Sequence, residues 1–218
     1  MSDRRLRELE RASDRKTAAR YLWERLRIGE LDEVRLELAA YAGHPPARLV
    51  LGLAEDGERP ADWEGFHGWV FGLAGFGAVP EALAAASVAR LALRAAWLAA
   101  APAVDDELPR RSVESVERWL LEDERAAAAR AQAAFQAFGQ ALSADALAQE
   151  ARGLFWLCHD ALEAALTPSA EGRPCRQRVY RAVEREGRAT ERFRLERTLE
   201  QIASSLLAWA LKPVRAAG

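Results

Sequence analysis

The chain has 218 residues, half of them hydrophobic and 29 % charged, with a formal net charge of only −2. That length suffices for one large domain or two small ones with a sizeable core. A near-neutral balance of interspersed signs excludes a global pull toward nucleic acid or an acidic membrane surface.

Nearly every segment reads at helical period, with breaks at proline, glycine or an acidic cap. The first predicted helix runs from Asp14 to Arg27, with Ala18, Leu22, Arg25 and Leu26 along one side and Gly29 closing it. The second, Asp32 to Tyr41, carries Val34, Leu38 and Tyr41 as its stripe and stops at the turn Gly43-His44-Pro45-Pro46. A short helix covers Ala47 to Leu53, and Asp62 is a plausible N-cap for the next. In that next helix Gly65, Gly68, Gly72 and Gly75 recur at three- and four-residue spacing. Each interior glycine costs roughly 1 kcal/mol relative to alanine, so close approach of a neighbouring helix is the expected reason. The apolar run around them, about fifteen residues with His67 inside, is too short to span a bilayer. The glycine order fits neither a dinucleotide fingerprint nor a phosphate loop.

Further helices are expected from Pro80 to Ala100, Pro109 to Leu121 and Glu122 to Leu142. Ser143 reads as the N-cap of a helix reaching Leu166, and residues 167–173 as a short linker. Two last helices, Pro174 to Arg185 and Thr190 to Leu211, would form a C-terminal hairpin over 173–212. In the second, Leu195, Leu199, Ile202, Leu206 and Trp209 form a narrow seam. The seam is expected to pack onto its own domain, with homo-oligomerisation as the alternative. The fold class is therefore all-α: one irregular bundle of nine or ten helices over 1–218, with stacked helix pairs compatible.

The N-terminus is charged and lacks an apolar signal core, and no uninterrupted run of eighteen apolar residues occurs. Two cysteines, Cys158 and Cys175, suit a reducing compartment better than a disulfide framework. Lys16 and Lys212 are the only lysines among 31 basic residues, a bias typical of GC-rich bacterial genomes. A cytoplasmic protein is the expectation.

Candidate chemistry is sparse. Cys158, His159 and Asp160 are adjacent, and on a helix successive side chains diverge by about 100°, so they cannot align as a catalytic triad. His159 and Glu163 share a face, but a di-metal bundle needs a repeated Glu-x-x-His motif that this sequence lacks. Nine arginines lie between Arg173 and Arg197, interrupted by Glu184, Glu186, Glu191 and Glu196. A salt-bridged helix face is the expected outcome there rather than a phosphate-tracking stripe. No cofactor, metal or catalytic residue is expected, and nucleic acid is not the expected partner.

The segment from Ala89 to Phe138 is the exception. An alanine-rich helix leads into the acidic loop Asp105-Asp106-Glu107, then Pro109 and Arg110 open a helix whose Val113, Val116 and Leu120 make its buried stripe, flanked by Trp119. Pro102, Asp105, Pro109, Arg110, Val116, Trp119 and the helix after Glu124 resemble the Imm5-like immunity proteins of bacterial polymorphic toxin systems. The likeness covers about fifty of the 218 residues. The stretch from Arg25 to Gly52 resembles the opening of uncharacterised helical proteins of GC-rich bacteria. The first resemblance implies a small all-α protein that binds and neutralises a partner toxin without chemistry of its own. The expected function is a non-catalytic protein-binding module, an immunity-like inhibitor or an adaptor, with Asp105, Asp106, Glu107, Arg110 and Arg111 as the contact residues. Three alternatives stand beside this: a loop that is only a helix start, a ligand receptor or enzyme with a pocket beneath the glycine-rich helix, and an oligomeric scaffold.

Overall fold

The computed structural model describes residues 14–54, 59–100, 107–122, 125–143, 151–167, 169–190 and 193–214. Among them the fold is all-α, with ten α-helices and no strand. The helices are α1 (Arg15–Arg27), α2 (Glu33–Tyr41), α3 (Pro45–Val50), α4 (Trp63–Gly72), α5 (Ala78–Ala100), α6 (Glu107–Glu122), α7 (Arg125–Ser143), α8 (Arg152–Leu166), α9 (Ser169–Ala189) and α10 (Leu195–Ala210). A 3-10 turn, Leu73–Phe76, follows α4. The chain divides into two compact units, residues 1–60 with 203–218, and residues 61–202.

In the smaller unit each helix start has a side-chain cap. Asp14 accepts the Thr17 N–H, Asp32 accepts the Arg35 N–H at 2.7 Å, and His44 Nδ1 accepts the Ala47 N–H at 3.3 Å. Gly29, at φ +77°, lets the chain leave α1 through the left-handed region. In α1 the buried residues are Ala19, Leu22 and Arg25. In α2 they are Leu36, Leu38, Ala39 and Ala40, while Val34 is half exposed, so the buried face is rotated from the predicted stripe. Arg25, 3 % exposed, donates to the Leu211 carbonyl at 2.8 Å, just beyond the end of α10. A cation there meets the negative end of the helix dipole. Arg35 lies over the Trp209 ring at 4.3 Å and donates to the Lys212 carbonyl, and the Val214 N–H donates to the Glu30 carbonyl.

In the larger unit α5 is central and packs chiefly against α8; α6 packs on α7, and α9 on α8. Ala78–Ala99 is long and apolar enough to cross a membrane by length and composition alone, yet 72 % of its most apolar stretch is buried inside the protein. Burial on nearly all sides explains its composition, and its alanines let neighbouring backbones come close.

Three expectations need correction. The glycine face of α4 is not a packing face: Gly65, Gly68, Gly72 and Gly75 are exposed, and a β-carbon at 68 or 75 would meet nothing within 4 Å. The inward face carries Trp63, Phe66 and Val70, with Phe66 edge-on to Tyr180 at 5.9 Å. Residues 169–173 are not linker but the first turn of α9, which holds Pro174 inside it, and the expected hairpin 173–212 is divided between the two units. Ser143 ends α7 and donates back to the Gly139 carbonyl instead of capping α8. In the seam of α10, Leu199, Ile202 and Leu206 are buried within the chain, while Leu195 and Trp209 are half-buried.

Candidate functional site

The body of α6 is held from two sides. The Ser112 hydroxyl lies 2.7 Å from the Ala134 carbonyl of α7, within donating distance. On the other side the Arg90 guanidinium of α5 makes a two-pronged pair with the Glu117 carboxylate, which holds Arg90 above its ordinary pKa. Of the residues expected to contact a partner, Glu107 and Arg111 are exposed and pair with each other one turn apart. Arg110, also exposed, lines a cleft against α5. Asp105 and Asp106 lie outside the described residues. The five therefore do not form one described patch; Arg110 alone is placed in a concave surface.

That cleft has a volume of about 390 Å³. Leu91, Arg94 and Leu98 come from one face of α5, Arg110 and Glu114 from α6, and Gln201 from α10. Leu98 is 74 % exposed, the most exposed large apolar side chain among the described residues. Trp97 also lines the cleft, and its indole N–H is buried with no acceptor among the described residues. A second, wider depression of about 950 Å³ shares Leu91, Arg94 and Leu98 and is walled by the end of α9 and by Arg197 and Glu200 of α10. Arg94 and Arg110 have no ion-pair partner among the described residues, whereas Arg90 is committed to Glu117. The narrower cleft thus combines an apolar floor with two uncommitted guanidinium groups and one carboxylate, Glu114.

The remaining titratable groups are taken up by packing. Cys158 is fully buried, and desolvation pushes its thiol well above the ordinary range. His159 stacks on Phe135 of α7 at 4.4 Å, with its Nδ1 3.8 Å from the Asp160 carboxylate. Gly139 makes this possible: a β-carbon there would come within 2.9 Å of His159 Nε2. Cys175 Sγ lies 3.8 Å from the Glu163 carboxylate, and its thiol is raised first by burial and then by that charge. No group of three or more His, Cys, Asp or Glu side chains could hold a metal ion among the described residues.

The arginine-dense stretch divides by helix face. Arg188 pairs with Glu184 on the exposed side and Arg173 lies over the Phe71 ring at 6.0 Å. Arg176 is buried, 3.6 Å from Glu81 of α5, and donates to the Ala164 carbonyl. The Tyr180 hydroxyl is buried alongside, with its acidity weakened chiefly by desolvation. Glu184 also accepts from His67 at 2.9 Å; the hydrogen bonds from His67 and Arg188 hold its carboxyl below the ordinary range.

The sequence signal for the cleft was Arg90 and Arg94, two charges four residues apart in the otherwise apolar second half of α5, with Leu98 one turn further on the same face. Period alone hid it, because α5 is apolar on almost every side. No protein-family model, curated protein or solved structure matches the chain.

Proposed function

We propose that the chain is a non-catalytic protein-binding module, an immunity-like inhibitor or an adaptor, that docks its partner on the cleft formed by α5, α6 and α10. The observation that carries this reading is Leu98, 74 % exposed between two arginines without ion-pair partners. An exposed apolar side chain in a cleft also lined by a tryptophan and two uncommitted guanidinium groups fits a contact surface, where arginine and aromatic residues are enriched and lysine is depleted. The resemblance around Pro109 and Arg110 supports it, since Arg110 opens onto this cleft. Removing the anchor tests it directly. Leu98→Asp should leave the far-UV circular dichroism and melting temperature unchanged, because the side chain is mostly in solvent. The same variant should abolish enrichment of the partner in quantitative affinity purification from the organism encoding the chain. Equal enrichment by both proteins would remove the cleft from the function.

A small-ligand receptor is the second reading, favoured by one observation: 390 Å³ lies within the range of ligand pockets. It leaves unexplained why Leu98 projects so far beyond what a small molecule would cover.

A further inference from the structure

We infer that the occupant of the cleft is an acidic amphipathic α-helix of another protein, its apolar residues covering Leu98 and Trp97 and its carboxylates meeting Arg94 and Arg110. This rests on the docking reading above and adds the partner's chemistry. The charge argument comes first. Around the narrower cleft Arg94 and Arg110 lack ion-pair partners among the described residues, and Glu114 is the one carboxylate in the lining. Arg90 is neutralised by Glu117 and sets the wall rather than the specificity. Two open forks favour carboxylates, which guanidinium groups bind through paired hydrogen bonds. Both open guanidinium groups ask for acceptors.

The shape argument follows. The described residues contain no strand, so strand addition to a sheet edge is not open to them, whereas a helix laid in a groove is. Leu91, Arg94 and Leu98 share one face of α5 over about 10 Å, roughly two helical turns, a length that two turns of a docked helix would match. Arg110, Val113 and Glu114 of α6 and Gln201 of α10 line the same cleft. The wider depression sets Glu196 and Glu200 beside its arginines, whereas in the narrower one Arg94 and Arg110 share the lining with one carboxylate, Glu114.

The test uses the full chain labelled with 15N and three synthetic peptides of about sixteen residues. One has leucines at i, i+4 and i+7 flanked by glutamates; one replaces each glutamate by lysine; one keeps the glutamates and places proline at its centre. The acidic helix should shift the Trp97 indole resonance and the amides of residues 91–98 and 110–114. It should bind about ten-fold more tightly than the lysine peptide at low salt, with the difference shrinking as salt is added. The proline peptide should lose binding, and Arg94→Glu with Arg110→Glu should reverse the charge preference. Equal or tighter binding of the lysine peptide, no shift with the acidic peptide, or shifts scattered outside the cleft would overturn the inference. So would decanoate saturating the cleft while the acidic helix does not. Failure of the docking reading is separately visible: partner capture unaffected by Leu98→Asp removes the cleft itself. Capture lost with Leu98→Asp but competed only by the lysine peptide keeps the cleft and rejects the acidic helix.

Discussion

His44 shows how one side chain couples local structure to pH. Its Nδ1 accepts the Ala47 N–H and so occupies the N-cap of α3, where asparagine, aspartate or serine is the usual choice. Protonation destroys that acceptor and puts a positive charge at the positive end of the helix. Burial, which disfavours the charged ring, already holds the imidazole below its ordinary value. The folded state therefore binds the proton more weakly than the unfolded chain. The contribution to stability is complete above the unfolded value of about 6.5, and it is lost as pH falls from there through the lower folded value. His44→Asn keeps a cap and removes the titration. Urea midpoints measured at pH 7.5 and 5.5 should fall less for the variant than for the wild-type chain. Parallel losses would mean that this cap does not titrate with folding.

Among the helices, α4 and α9 show what periodicity reveals and what it conceals. The spacing of Gly65, Gly68, Gly72 and Gly75 correctly placed them on one face of a helical segment. It could not say what that face meets, and here it meets solvent. The informative glycine was one with no pattern. Gly187 of α9 sits where a β-carbon would overlap the Trp63 ring of α4 and the Phe193 carbonyl, so backbone as well as side chain would have to move. Opposite effects of the same substitution follow. Gly68→Ala should stabilise the protein by about 0.5–1 kcal/mol through helix propensity and the loss of unfolded-state freedom. Gly187→Ala should destabilise it by about 1–3 kcal/mol through overpacking. Melting temperatures of the two variants moving in the same direction would contradict this account. The helices themselves were legible because caps such as Asp32 and Asp62 and breaks such as Gly29 act within four residues. The cleft was less so, since it depends on which neighbours leave Leu98 uncovered.

At the scale of the whole molecule, the division of the chain was the part hardest to read. Composition changes in the polar segment 167–173, but the C-terminal division falls within α10, whose first turns belong to the larger unit and whose end belongs to the smaller. A continuous helix carries no compositional mark at such a point. The consequence is physical. Among the described residues before position 60 the smaller unit has helices of 13, 9 and 6 residues, and isolated helices below about 12–15 residues are marginal in water. They are completed by 203–218, with Leu206 and Ala210 fully buried, Arg25 on the Leu211 carbonyl, and the Val214 N–H on the Glu30 carbonyl. Truncation after residue 202 should therefore abolish hydrogen-exchange protection across residues 15–50 while α5 and α8 keep theirs, because their mutual packing lies wholly within 61–202. Arg25→Met should weaken protection in the same segment without abolishing it, since it removes the guanidinium's hydrogen bonds to the Leu211 and Glu30 carbonyls and its ion pair with Glu30, a charged hydrogen bond being worth about 1.5–3 kcal/mol, and retains the side chain's bulk. Protection of residues 15–50 that survives the truncation would show that the three N-terminal helices fold without the C-terminal segment.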